Sequence, residues 1–233
     1  MKSLIVLTVA KGNLTKLPTR MGQQHPSVVS LYVYGTKLAE LPDSIGDMKE
    51  LFDLYIPNNE LTTLPESVAK LPNLANLMVF NNELTSVPDY AGAFDRLLQL
   101  DVSNNRLNRL PGNMLLLEWL HAWNNTLESF PDGLISLTKV DVRHNRINAL
   151  PSENWEQIEY FYAAGNPLCP YKFPSGVQGR CQAQCSPDCP SHWIGNQECD
   201  DMDYAHTDFF ELQPKRAGCN VRECDFDGGD CSW

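Results

Sequence analysis

One pattern recurs along this chain and decides most of what it can become. The register L-x-x-L-x-L-x-x-N-x-L-x-x-L-P opens at Leu4, Val28, Leu51, Leu74, Leu97, Leu117, Leu137 and Ile158, at intervals of 24, 23, 23, 23, 20, 20 and 21 residues. The third unit reads Leu51, Leu54, Ile56, Asn59, Leu61, Leu64, Pro65, and the fifth reads Leu97, Leu100, Val102, Asn105, Leu107, Leu110, Pro111. A unit this short cannot bury its own apolar face, whereas a stack of units buries a continuous one. Each unit carries a brief apolar alternation, as in Leu54-Tyr55-Ile56, which is a strand signal. The Asn then turns the chain. A side-chain amide both donates and accepts, so stacked Asn59, Asn82, Asn105, Asn125, Asn145 and Asn166 are expected to form a ladder. Gly12 and Thr36 hold that position in the first two units, where the ladder should be weaker. The Leu-Pro pair sends the chain out of the sheet, because proline cannot continue a sheet interior. The longer units leave room for a helical turn, as at 42–49 and 65–71. The 20-residue units have three fewer residues there and are expected to run extended or 3₁₀.

This register resembles the leucine-rich-repeat family over about residues 4–170. The resemblance implies an α/β repeat solenoid, a horseshoe of about eight repeats with a parallel β-sheet on its concave side, in a domain spanning 1–170. Gly165-Asn166-Pro167-Leu168-Cys169-Pro170 is similar to the start of the cysteine-closed cap in extracellular members. Leu4 already opens the first unit, so the first strand is expected to be an uncovered edge, which favours aggregation. Met1-Lys2 and the apolar stretch 4–10 are too short for a signal peptide and lack a small-residue cleavage site. They are read as folded sequence, with any secretion signal and upstream residues lying outside this chain.

Beyond residue 170 the composition changes. All 8 cysteines lie between Cys169 and Cys231, and residues 181–233 hold 11 acidic against 3 basic residues, so most of the formal charge of -11 sits there. Dense cysteines in a short acidic segment read as a disulfide framework in an oxidising compartment. The thiols are not paired as C-x-x-C knuckles, which speaks against zinc. The ending Cys224-Asp225-Phe226-Asp227-Gly228-Gly229-Asp230-Cys231, with Asn196-x-x-Cys199-Asp200 and Cys219-Asn220, resembles the Notch-type repeat. That resemblance covers 185–233, after a cap and linker at 171–184, and implies a small disulfide-rich, calcium-binding module with little regular secondary structure. It implies the pairs Cys185–Cys224, Cys189–Cys219 and Cys199–Cys231, leaving Cys169–Cys181 to close the cap. Cys181 competes with Cys185 for the first place, and the residues alone leave 15 pairings open for six cysteines. The insert 201–218 is longer than the family's usual spacing and has no assigned role. By the same resemblance Ca²⁺ is held by Asn196, Asp227 and Asp230, with Asp200 and the backbone near Trp193 as further candidates. The chemistry is sound in itself: Gly228-Gly229 lets two carboxylates three apart fold onto one hard cation. A glycine turn with solvated Asp residues is the plainer alternative. Fifty residues bury little core, so disulfides plus a metal are the usual remedy.

Function is expected to be recognition. The acidic balance argues against nucleic acid, which demands a basic footprint, and no apolar run approaches the ~20 residues of a membrane span. No H-E-x-x-H, G-x-S-x-G or phosphate-cradling glycine loop is present, and an enzyme is not expected. His121 and His144 fall on or beside the sheet, and His192 and His206 have no ligand spacing. The register turns two aromatic clusters outward on the concave face. One is Tyr32, Tyr34, Tyr55 and Phe80. The other is Trp119, His121, Trp123, Tyr160 and Tyr162. A polar strip of Asp101, Ser103, Asp141 and Arg143 separates them. Such residues are what protein interfaces concentrate, so the partner is expected to be a protein or peptide. Asn13-Leu14-Thr15 and Asn124-Asn125-Thr126 are glycosylation sequons, which with the cysteines suggests secretion or the extracellular face of the plasma membrane. The alternative is a regulatory or structural ectodomain segment in which the Notch-type repeat masks or caps a neighbour.

Overall fold

The computed structural model describes residues 4–150, 157–167 and 179–180. The chain divides into two units, Met1–Gly179 and Arg180–Trp233. The calcium ligands Asn196, Asp200, Asp227 and Asp230, the backbone at Trp193 and all of the cysteines lie outside the described residues.

Eight short strands follow the repeat: β1 (Val6–Ala10), β2 (Ser30–Tyr34), β3 (Asp53–Tyr55), β4 (Asn76–Met78), β5 (Gln99–Asp101), β6 (Trp119–His121), β7 (Lys139–Asp141) and β8 (Tyr160–Tyr162). They stack in chain order and in parallel. The register is that of the repeat: Leu31 pairs with Leu54, Leu54 with Leu77, Leu77 with Leu100, Leu100 with Leu120, and Leu120 with Val140. These residues point into the core, as do Ile56, Val79, Val102, Ala122 and Val142 one alternation further on. The opening position of each unit is buried from Val28 to Ile158, but Leu4 is 42% exposed. In β1, Leu7 and Val9 are only half-buried.

The prolines act as expected. Pro42 and Pro65 are extended and are followed by a 3₁₀ turn at Asp43–Asp47 and a helical turn α2 at Glu66–Ala69. An earlier helical turn, α1 (Met21–Gln24), packs against the 3₁₀ turn, which packs in its turn on α2. Gly22 makes that first contact possible: its N–H donates to Ser44 Oγ at 3.3 Å, and any Cβ would collide with the Ser44 carbonyl. The 20-residue units contain no helix among the described residues.

The Asn ladder is complete from Asn59 onward. Asn105 is representative: Nδ2 donates to the carbonyls of Val79 (3.0 Å), Val102 (2.9 Å) and Ser103 (3.2 Å), and Oδ1 accepts from Leu84 N at 2.9 Å. Val79 and Leu84 belong to the preceding unit, and the same backward reach recurs at Asn82, Asn125, Asn145 and Asn166. Asn59 reaches back to the Val33 carbonyl. In the second unit Thr36 donates its hydroxyl forward to Asn59 Oδ1, and Gly12 has no side chain to offer. A second row lies beside the first. Asn58, Asn81, Asn104, Asn124 and His144 precede ladder residues and all have φ between 52° and 55°, a region that Asn tolerates better than most residues. Asn81 and Asn124 each donate to the equivalent Asn one unit earlier, at 2.9 and 2.6 Å. No helix of the described residues is long and apolar enough to cross a membrane.

Candidate recognition surface

Side chains alternate across a strand, so the residues flanking the buried column form the concave face. The pairing gives three columns. The first runs Ser30, Asp53, Asn76, Gln99, Trp119, Lys139, Tyr160, and the middle one Tyr32, Tyr55, Met78, Asp101, His121, Asp141, Tyr162. The third, two residues further on, runs Tyr34, Pro57, Phe80, Ser103, Trp123, Arg143, Ala164. All thirteen residues expected to face a ligand lie in these columns.

The first aromatic cluster is assembled around Tyr55. Its ring centroid lies 5.7 Å from Tyr32, 6.4 Å from Tyr34 and 5.9 Å from Phe80, the last two edge to face. Burial, reinforced by the Asp101 charge, pushes the Tyr55 phenol up to about 12. Tyr32 is likewise raised by burial and then by Asp53. One expectation needs correction. Phe80, Asp101 and Ser103 stand in the concave columns but do not face solvent: they are 5%, 6% and 1% exposed. Asp141 is buried too. The Tyr55 ring packs edge to face on Phe80, and the short Asp101 carboxylate folds back onto the Ser103 N–H.

The second cluster is held by cations. Lys139 Nζ sits 4.0 Å from the Trp119 ring centroid and 5.9 Å from that of Tyr160. Arg143 lies 5.5 Å from the Tyr162 ring while its guanidinium grips Asp141, Nε to Oδ1 at 3.0 Å and Nη2 to Oδ2 at 2.7 Å. Cation-over-ring contacts of this kind fix ring orientation before any partner arrives. Trp119, His121, Trp123 and Tyr162 are half-exposed, and Tyr160 is exposed. For His121, burial works against the charged imidazole. The adjacent Asp101 carboxylate outweighs it, with help from Asp141, and the net displacement is upward.

Sequence reasoning took only Trp119 and Tyr160 from the first column and overlooked its polar members. Ser30 Oγ donates to Asp53 Oδ2 at 2.8 Å and Asn76 Nδ2 donates to Asp53 Oδ1 at 2.7 Å, so a polar relay borders the tyrosines. Extending the register by one position would have found it, and Lys139 with it. Asn13 and Asn124 are both exposed, and Asn124 sits at the rim next to Trp123. Among the described residues no group of three or more His, Cys, Asp or Glu is placed to hold a metal.

No family model matches the chain, and no curated protein matches it. Solved structures do. YopM, a leucine-rich effector protein from Yersinia pestis, is 31% identical over 69% of this chain and 43% of its own, with a TM-score of 0.60. A Shigella effector LRR domain is 27% identical over 70% of this chain and 69% of its own, with a TM-score of 0.58. A plant peptide hormone receptor in complex with RGF2 is 25% identical over 65% of this chain and 26% of its own, with a TM-score of 0.58. The match spans less than half of the Yersinia protein and of the plant receptor. The fold is that of leucine-rich-repeat proteins.

Proposed function

We propose that this leucine-rich-repeat solenoid is a recognition module that binds a protein or peptide along its concave sheet and catalyses nothing. The observation that carries the reading is the concave face itself. Half-exposed aromatic rings, fixed by ring contacts and by Lys139 and Arg143, line this face above the buried Phe80, Asp101 and Asp141. Aromatic anchors on a rigid sheet bind with little ordering cost. The plant receptor of similar fold was solved in complex with RGF2, which supports a partner-binding role. We further propose that the chain is extracellular and that its tail is a Notch-type, calcium-stabilised module. The cysteine spacing, the D-G-G-D-C ending and the two sequons support this, and the solved structures of similar fold include both bacterial effectors and a plant receptor.

The test is selection of a random phage-displayed peptide library on the full chain. Selected peptides should lose affinity about thirtyfold or more, the effect of a hot-spot truncation, on Tyr55→Ala or Trp123→Ala. Peptides that bind both variants as tightly as the parent would move the working surface off the concave sheet.

A further inference from the structure

Three chargeable side chains stand abreast in the middle column of the sheet. The register pairs Asp101 on β5 with His121 on β6, and His121 with Asp141 on β7. The two carboxylates are not equally served. Arg143 grips both oxygens of Asp141, so that charge is balanced. Asp101 is nearly buried and accepts the Ser103 N–H at 2.9 Å, but among the described residues no lysine or arginine lies within 4.0 Å of it. The group that comes nearest is His121, whose Nδ1 stands 3.8 Å from Asp101 Oδ2 and whose side chain is 44% exposed.

The proton on His121 decides the charge of this row. With a neutral imidazole the row carries one uncompensated, nearly buried carboxylate. With an imidazolium it becomes two ion pairs, Asp101 with His121 and Asp141 with Arg143, and its net charge is zero. The groups that face the ring set this balance. Asp101 meets it from β5, Asp141 from β7, and Arg143 just beyond β7 opposes protonation. Lys139, on β7 one column away, lies over the Trp119 ring, and Trp119 and Trp123 on the ring's own segment carry no charge. Burial favours the neutral ring, yet the Asp101 carboxylate, helped by Asp141, outweighs it and displaces the imidazole upward from its ordinary 6.5.

We propose that His121 is a proton-operated gate for the concave face: its protonation pairs Asp101, ties β5 to β6, and tightens the binding of an uncharged segment of a protein or peptide partner that covers this row. The inference rests on the recognition reading above. A partner lying across Trp119, His121 and Trp123 withdraws the row from water. Desolvating an unpaired carboxylate costs more than desolvating one that is paired, so the covered row takes up a proton more readily than the free one. Linkage then fixes the sign, and binding strengthens as pH falls through the His121 transition. The fold follows the same sign. Pairing raises the folded value above the unfolded one, so the stability this contact contributes is full below about 6.5 and is lost as pH rises through the folded value.

The experiment uses the full chain and a peptide selected at about pH 7 from a phage library built of uncharged residues, made with capped ends so that the peptide itself does not titrate. In the free protein the His121 ring signals should titrate above 6.5 by NMR, and Asp101→Asn should lower that transition. Peptide affinity should rise several-fold from about pH 8 to about pH 5.5 in the parent, and stay nearly flat in His121→Gln and Asp101→Asn. The ratio of affinities within each variant is what is read, because His121 itself faces the partner. Should Asp101→Asn fail to fold, the parent titration and His121→Gln still decide. A His121 transition at or below 6.5, a parent affinity that is flat or falls on acidification, or an equal rise in His121→Gln would each overturn the gate and leave the recognition reading intact. Peptides indifferent to Tyr55→Ala and Trp123→Ala would remove the recognition reading and the gate with it, whatever His121 does in the free protein.

Discussion

Tyr55 shows how much one position on the concave sheet has to reconcile. It meets three aromatic neighbours and stands close enough to Asp101 for that charge to oppose its ionisation. Burial is the larger cause and the carboxylate the next. In an ultraviolet titration one tyrosine should therefore ionise at about 12, and Asp101→Asn should bring it down toward the ordinary value near 10. The fold holds this phenol neutral while the unfolded chain does not. Its contribution to stability is full below the unfolded value and is lost as pH rises through the folded one. Alkaline unfolding should begin later in Tyr55→Phe than in the parent. A Tyr55 that titrates with the exposed tyrosines would place its ring in solvent and dissolve the first cluster.

At the level of strands and turns, one alternation separates stability from recognition. Leu100 lies in the buried column of β5, and Trp123 lies just past β6 on the other face. Leu100→Ala should cost about 2–5 kcal/mol in urea unfolding, through lost transfer energy and the cavity left behind. Trp123→Ala should leave the midpoint nearly unchanged. Equal losses would mean that the Trp123 ring is core. This alternation is also why so much was legible in the sequence: the Leu, Asn and Pro positions of each unit predict the strands, the ladder and the exits. What the pattern could not carry was depth. Register assigns Phe80 and Asp101 to the concave face, but how deeply each sits depends on the rings of neighbouring units. The left-handed Asn row was missed although its sign was present, in the doubled Asn58-Asn59, Asn81-Asn82, Asn104-Asn105 and Asn124-Asn125. The Ser30–Asp53–Asn76 relay was invisible for a different reason, since short polar residues at unit spacing look like ordinary solvated surface until their bonds are seen.

Across the whole chain, two kinds of stability are expected side by side. The tail, by its resemblance to a Notch-type repeat, should bind Ca²⁺ through Asn196, Asp227 and Asp230, and binding to the folded state alone raises stability by mass action. Calorimetry on oxidised protein should show heat with Ca²⁺ that Asp230→Ala largely removes. Silence with Ca²⁺ would leave only a disulfide knot, whereas several alkylated cysteines by mass spectrometry of native protein would sink both the tail module and the extracellular assignment. The solenoid depends instead on contacts between neighbours. Asn105→Ala strands the buried Leu84 N–H and should cost about 1–3 kcal/mol. Hydrogen exchange should show the damage mostly at 79–84 and little beyond Leu107, and equal exposure on both sides would refute it. The reason is that every ladder Asn fastens the unit before it. Each turn from β2 to β7 is thus latched by its successor, and a defect is reported mostly upstream. The chain carries an arrow. Of the seven turns that carry β1 to β7, the first is the one that no Asn latches, since Thr36 stands where its successors have Asn, and local opening is expected to be easiest there.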